Sequence, residues 1–196
     1  MQSRTPVARA KTSVSAKSSA LAVSTRRIAD LLAAHSPVRL NIGAGNKRLP
    51  GWISIDVDGN ADVTCDVMQL PLPDCCADVA MAIHVLEHVH RWEAPAALAE
   101  WMRVLKPGGR LILELPDFEK CCKAVAAGAP HQMGKQGIYG DHATQNPLMM
   151  HKWGWSPLEL AAALRDAGFI KVRECDPEFH GKRKNRDMRL ECLRPC

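Results

Sequence analysis

The sequence predicts an open α/β sheet, and three observations carry that prediction. Short apolar strands alternate with amphipathic helices from residue 38 onward, the pattern of strand–crossover–strand units. One strand, VRLNI, runs directly into Gly43-Ala44-Gly45, and open α/β sheets bind ligands beyond the carboxyl ends of their strands. The last two strands are joined by a short basic loop, which makes them an antiparallel hairpin.

The elements follow in order. STRRIADLLAAHSP, 24–37, reads as a short helix: Ser24 caps it, Ile28, Leu31 and Leu32 share a face, and Pro37 ends it. VRLNI, 38–42, is the first strand. WISIDVD, 52–58, alternates and ends in acids, a second strand, and ADVTCDV, 61–67, is a third. ADVAMAIHV, 77–85, has the apolar run of a strand buried on both faces. EAPAALAEWMRVL, 93–105, places Leu98, Trp101, Met102 and Leu105 at helical spacing, and Lys106-Pro107-Gly108-Gly109 stops it. RLILELP, 110–116, is a further apolar strand. FEKCCKAVAAG reads as a helix ending at Gly128, and 129–155 as loop. SPLELAAALRDAG, 156–168, carries a full set of helix signals: Ser156 at the N-cap, Pro157 at N1, Glu159 at N3 and Gly168 after the end. FIKVREC, 169–175, and RLECL, 189–193, form the closing hairpin. There is no internal repeat.

At 196 residues the chain suits one domain with a substantial core, and its 46% hydrophobic share is ordinary for a globular protein. No apolar run approaches the ~18 residues of a membrane helix, so a cytoplasmic protein without a membrane span is expected. The net charge of +5 is unevenly placed. Residues 1–29 hold Arg4, Arg9, Lys11, Lys17, Arg26 and Arg27 and no acid, while the remainder holds 20 basic and 21 acidic residues. The folded part is near neutral, which weakens a nucleic-acid reading based on total charge. Residues 1–23 read as a basic disordered tail ahead of a domain over 24–196; the same Ser- and Arg-rich, acid-free composition also suits an organelle transit peptide. GKRKNRDMR, 181–189, is a second basic patch, a solvated loop or a contact for phosphate or an acidic partner. The eight cysteines form no C-x-x-C pair and follow no secretory signal, which points to free thiols in a reducing compartment.

LNIGAGNKRLPGWISID, 40–56, carries the strongest chemical signal. Gly43 and Gly45 allow a tight turn and a close ligand approach to the backbone. The next strand ends at Asp56, where a carboxylate can accept two hydrogen bonds from ribose hydroxyls, and Asp66 follows ten residues on. This predicts a nucleoside ligand. A dinucleotide fits poorly: Arg48 occupies the place of the third glycine, and Gly43 and Asp56 are 13 residues apart instead of ~20.

The order LNIGAG, LPGWISID, CDV, AIHVLEHV and VLKPGGRLILELPD resembles a class I S-adenosylmethionine-dependent methyltransferase. It is closer still to a bacterial-type subgroup with L-x-x-G-x-G-x-x-x-L-P-G-W-x-x-x-D, in which a stretch like YGDH…HKWGWSPLELAAALRDAGF recurs. The resemblance covers residues 38–193. It implies a Rossmann-like fold with a mostly parallel seven-stranded sheet and an antiparallel last strand, and S-adenosyl-L-methionine as cofactor. It implies that Gly43, Ala44 and Gly45 lie along the methionine part, that Asp56 holds the ribose, and that Asp66 and Val67 border the adenine. Ile83 and His84 would lie near the cofactor amino group and the open side of the pocket. Asn41 stands where many relatives carry the acid that meets the methionine amine, and the first crossover is very short.

HVLEH, 84–88, also fits H-x-x-E-H, which in one family of zinc peptidases supplies two metal ligands and a general base. That site needs both histidines on one helix face and a third ligand. Here His84 ends a strand and His88 begins a turn, and nothing selects among His90, Glu93 and His151 as a third ligand, so no metal is expected. Within the methyltransferase reading, His84 or His88 removes a proton from the acceptor, a task suited to a near-neutral pKa, or else packs against the next helix and caps it. His151 is the third catalytic candidate. It belongs to the cluster Tyr139, Asp141, His142, His151, Trp153 and Trp155, which is either an aromatic acceptor platform or a hydrophobic plug. Met149-Met150 reads as core filler, and Trp52 as structural. The expected activity is methyl transfer to a hydroxyl, amine or carboxyl of a small-molecule or saccharide acceptor, with the oligomeric state open. Beside it stand a non-catalytic cofactor-binding partner subunit and an RNA methyltransferase drawing on the basic tail and Lys182–Arg189; an HxxEH zinc peptidase is the remote reading.

Overall fold

The computed structural model of the protein describes residues 26–57, 59–179, 181 and 185–196. Two compact units divide between Ala34 and His35. The first contains helix α1, residues 26–33; Ser24 and the expected tail over 1–23 lie outside the described residues. The second contains a seven-stranded sheet.

Its strands are β1 (Arg39–Ile42), β2 (Ile53–Asp56), β3 (Val63–Thr64), β4 (Ala77–Ile83), β5 (Leu105–Pro116), β6 (Ile170–Cys175) and β7 (Asp187–Leu193). They lie in the order β3-β2-β1-β4-β5-β7-β6. The first five are mutually parallel, and β7 runs antiparallel between β5 and β6. The sequence order reverses between β1 and β4, the switch point at which doubly wound sheets open a ligand crevice.

The helices are α2 (Ala94–Val104), α3 (Phe118–Ala126), α4 (Lys135–Tyr139) and α5 (Pro157–Asp166). α2 buries Ala97, Leu98, Trp101 and Val104 against strands whose Leu40, Ile42, Ile53, Ile55, Leu111 and Leu113 are wholly buried. α3 is capped by Asp117, whose carboxylate accepts from the backbone N–H groups of Glu119 and Lys120. α5 begins as its sequence signals require, with Ser156 Oγ accepting from Glu159 N.

Four elements depart from the sequence reading. Strand β3 is only two residues long, because the Asp66 carboxylate accepts from Met68 N and turns the chain away at once. β5 already starts at Leu105, which pairs with Ala77, so Leu105 closes the helix in extended conformation and does not extend its stripe. The stretch read as loop contains α4 and several 3-10 turns. β7 starts at Asp187, two residues before the expected strand, and its Asp187, Arg189 and Glu191 are buried polar residues that mask the strand pattern. Within the basic patch, Arg186 is buried against Asp187, and Arg189 is buried against Glu114 and Glu191, so neither offers its charge to phosphate. Lys182, Arg183 and Lys184 lie outside the described residues. Among the described residues no helix is long and apolar enough to cross a membrane. The eight cysteines are free thiols, with Cys121 and Cys192 buried.

Candidate active site

The Gly-Ala-Gly turn leaves β1 at the switch point. Gly43 and Gly45 both take positive φ, 66° and 53°. A Cβ on Gly43 would run into Cγ2 of Val85, so the turn is packed against the end of β4, whereas a Cβ on Gly45 would meet nothing within 4 Å. The turn is tied to β2 twice. Ala44 N donates to Ile55 O at 3.0 Å, and Gly45 N donates to Asp56 Oδ2 at 2.7 Å. A cavity of about 270 Å³ opens here, lined by Asn41, Gly43, Ala44, Gly45, Ile83 and Phe179 among others. Asn41 is buried, and its side-chain amide donates to Lys47 O at 3.4 Å.

Five of the nine cofactor candidates therefore share one cavity. Asp56 joins them through Gly45, while Asp66, Val67 and His84 stand outside the lining. Asp66 is exposed at the head of its turn, and Val67 O accepts from the Trp101 indole at 2.9 Å, which fixes that turn to α2. Phe179 was not legible in the sequence. Its position comes from the fully buried Glu114, whose carboxylate accepts from the backbone N–H groups of Glu178 and Phe179, each at 2.9 Å.

HVLEH leaves β4 at its carboxyl end. His84 takes φ 55° and stops the strand, and Leu86–His88 is a 3-10 turn, so the two histidines share no helix face. The His84 ring is gripped from both sides: Nδ1 lies 2.8 Å from Glu87 Oε1 and Nε2 lies 3.1 Å from Asp187 Oδ2. Burial opposes protonation of this ring, but hydrogen bonds and charge from Asp187 and Glu87 prevail and push its pKa up to about 9. In turn, burial would raise both carboxyls, yet the hydrogen bond from His84 holds Glu87 and Asp187 below their ordinary values. A base needs an empty nitrogen near neutral pH, and His84 is instead a cation locked between two carboxylates.

His88 and His151 meet edge to face, ring centroids 4.8 Å apart. His88 Nδ1 lies 3.1 Å from Met150 O, and His151 Nδ1 lies 3.0 Å from Gly137 O. Burial pushes the His151 pKa down, so it stays neutral. Both line a second cavity of about 250 Å³ with Gln136, Gly140, Asp141, Met149 and Arg186. The chain around His151 is pinned to the motif, since Glu87 O accepts from Lys152 N at 2.7 Å. The aromatic cluster divides: Trp155 is wholly buried beneath the Arg91 guanidinium, whereas Trp153 and Tyr139 are exposed. Met149 and Met150 are exposed on an irregular segment and do not fill the core.

Residues 40–113 match the family described as "Methyltransferase domain". A candidate methyltransferase of Encephalitozoon cuniculi is 31% identical over 104 residues, 45% of this chain and 50% of that protein. A probable S-adenosylmethionine-dependent methyltransferase of Mycobacterium tuberculosis is 32% identical over 123 residues, 63% of this chain and 37% of that protein. The chain thus spans half or less of the length of these relatives. Among solved structures, a Thermotoga maritima S-adenosylmethionine-dependent methyltransferase, described as a possible histamine N-methyltransferase, superposes with a TM-score of 0.56 at 19% identity, covering 80% of this chain and 81% of that one. The fold is the Rossmann-like class I methyltransferase fold.

Proposed function

We propose that the protein transfers a methyl group from S-adenosyl-L-methionine to a hydroxyl, amine or carboxyl of a small-molecule or saccharide acceptor. The observation that carries this reading is the Gly43–Gly45 turn, held by Asp56 beside a cavity at the strand-order switch. The donor set fits the cofactor: bare glycine backbone for close approach, open space over Gly45, and a carboxylate at the end of β2. Bound there, S-adenosyl-L-methionine supplies a methyl group on a sulfonium, open to in-line displacement by a lone pair of the acceptor.

Asn41, Gly43, Ala44, Gly45 and Ile83 would hold the methionine part, Asp56 the ribose, and Asp66 and Val67 the adenine edge. His84 acts as a positioning residue: its cation ties Glu87 in the motif to Asp187 on β7 and so fixes the carboxyl end of β4. His88 and His151 carry their Nε2 lone pairs on the acceptor side, where they receive a donor hydrogen of the acceptor. What the enzyme contributes is alignment and exclusion of water, with proton removal needed only for hydroxyl or ammonium acceptors. The description of the Thermotoga maritima neighbour as a possible histamine N-methyltransferase supports an acceptor of small size.

Calorimetric titration with S-adenosylhomocysteine tests the reading. Low-micromolar binding that is lost in Asp56→Ala is the expected result, followed by turnover with a labelled methyl donor across small hydroxyl, amine and carboxyl acceptors. Absence of binding would overturn it, and binding without turnover on any acceptor would favour a cofactor-binding partner subunit.

A further inference from the structure

We propose that Glu87, His88 and His151 form a site for one divalent transition ion of the zinc class. The potential ligand atoms of these three side chains all lie within 4.8 Å of one another. Glu87 Oε1 is 3.9 Å from His151 Nε2. Tetrahedral zinc with bonds of ~2.0–2.1 Å brings its ligands to roughly 3.3 Å of one another, so no pair has to close by more than about 1.5 Å to hold the ion.

Two features beyond proximity point to an ion. The first is how the histidines are held. Each gives its Nδ1 to a backbone carbonyl, His88 to Met150 and His151 to Gly137, which puts the hydrogen on Nδ1 and the lone pair on Nε2. That outer hydrogen bond is what orients metal-ligating imidazoles. The second is Glu87. Its side chain is 2% exposed, and its Oε2 has no hydrogen-bond partner. A buried carboxylate oxygen without a donor is costly, and a cation beside it removes the cost. Oε1, the oxygen 3.9 Å from His151 Nε2, also accepts from His84 Nδ1, so the carboxylate is held in place beside the histidines.

The ligand set of two imidazoles and one carboxylate selects zinc or a neighbouring first-row ion over magnesium or calcium, which prefer all-oxygen sites. Three protein ligands leave a position open, and the adjoining cavity of about 250 Å³ provides room for it. Gln136 Oε1, also buried without a partner, lines the same cavity and can accept from a water or hydroxyl held there. The motif thus divides differently from the peptidase pattern. Glu87 and His88 bind the ion with His151, and His84 supports Glu87 from behind. With the ion in place, an acceptor entering this cavity meets the open metal position instead of two bare nitrogens.

The test uses the full chain, stripped of metal and titrated with zinc chloride, with metal content read by mass spectrometry and ligand type by cobalt(II) spectra and zinc X-ray absorption. Expected are one ion per chain, two imidazoles in the absorption spectrum, no thiolate charge-transfer band, and at least about 100-fold weaker binding in Glu87→Gln and His151→Ala. His90→Ala binds as the parent does. No binding by the parent chain, a sulfur shell showing that cysteines hold the ion, or unchanged affinity in a folded His151→Ala would each overturn the proposal. Should the buried variants fail to fold, the absorption spectrum of the parent and the half-exposed His88→Ala decide alone. Metal is read directly, so failure here leaves the methyl-transfer reading untouched.

Discussion

The Nε2 of His84 lies 3.1 Å from Oδ2 of Asp187, across 103 residues of sequence, and its Nδ1 lies 2.8 Å from Glu87 Oε1. A histidine whose folded pKa is raised from 6.5 to about 9 binds its proton more tightly folded than unfolded. Its stabilising contribution is therefore fully present below about pH 6.5 and is lost as pH rises through about 9. The shift corresponds to about 3 kcal/mol, which for a chain of this size is roughly 6–12 °C in Tm. Thermal unfolding followed from pH 6.5 to 9.5 should show the midpoint falling across this window. Asp187→Asn should unfold at a lower temperature at pH 6.5 and show a flatter profile. A wild-type midpoint that is level across the window would sink the assignment of His84 as a buried cation.

The sheet was legible because its strands are short apolar runs bounded by Gly, Pro and acids, and because α5 carries every helix signal from Ser156 to Gly168. The Gly43–Asp56 unit was legible for the same reason: the turn chemistry is local. What escaped depends on distant contacts. Asp187 reads as one more charge in a basic loop until β5 pairs Pro116 with it and buries it. Phe179 reaches the first cavity only because Glu114, a charged residue inside an apolar strand, collects the backbone donors of residues 178 and 179. A buried Glu in RLILELP was the available signal, since an unmatched carboxylate in a core strand implies partners brought from elsewhere. Leu105 failed as a helix residue because pairing with Ala77 outweighed its place in the stripe.

Asp56 has a structural task as well as a proposed ligand task, because its Oδ2 accepts from Gly45 N. Asp56→Asn keeps an acceptor for that hydrogen bond while removing the charge; Asp56→Ala removes both. A charged hydrogen bond is worth about 1.5–3 kcal/mol. We expect S-adenosylhomocysteine to bind roughly 10- to 100-fold more weakly to Asp56→Ala, with Asp56→Asn intermediate. Equal affinity of all three proteins by calorimetry would exclude Asp56 from the ribose site.

Gly43→Ala meets two penalties at once, a positive φ of 66° and a collision with Val85 Cγ2. The expected cost is about 1–3 kcal/mol of unfolding free energy, together with loss of S-adenosylhomocysteine binding. Val85→Ala in the same chain removes the collision but not the dihedral strain. The double variant should therefore fall short of additive loss in a denaturant cycle. Strict additivity would mean that the side chains do not meet.

Asp117 caps α3 through two backbone N–H groups and does not line the first cavity. Asp117→Ala should cost about 1 kcal/mol. Its effect belongs in urea unfolding, with S-adenosylhomocysteine affinity unchanged. A parallel fall in affinity would show that α3 helps to shape the cavity.

Phe179 tests how far the first cavity depends on the segment ahead of β7. The ring is only half-buried, so removing it should cost little stability, yet it lines the first cavity together with the Gly43–Gly45 turn. If the cofactor rests against that wall, Phe179→Ala removes apolar contact area worth about 1–1.5 kcal/mol and weakens S-adenosylhomocysteine roughly 10-fold, with Tm nearly unchanged. Glu114→Gln should move in the same direction by a different route. It keeps the size of the side chain but weakens the acceptor that holds the backbone of residues 178 and 179, so affinity should fall and Tm should fall with it, because Arg189 loses a buried carboxylate partner. If Phe179→Ala binds as the parent does while Glu114→Gln still loses affinity, the backbone of this segment, and not the ring, shapes the cavity. Unchanged binding in both would mean that the cofactor does not touch this wall.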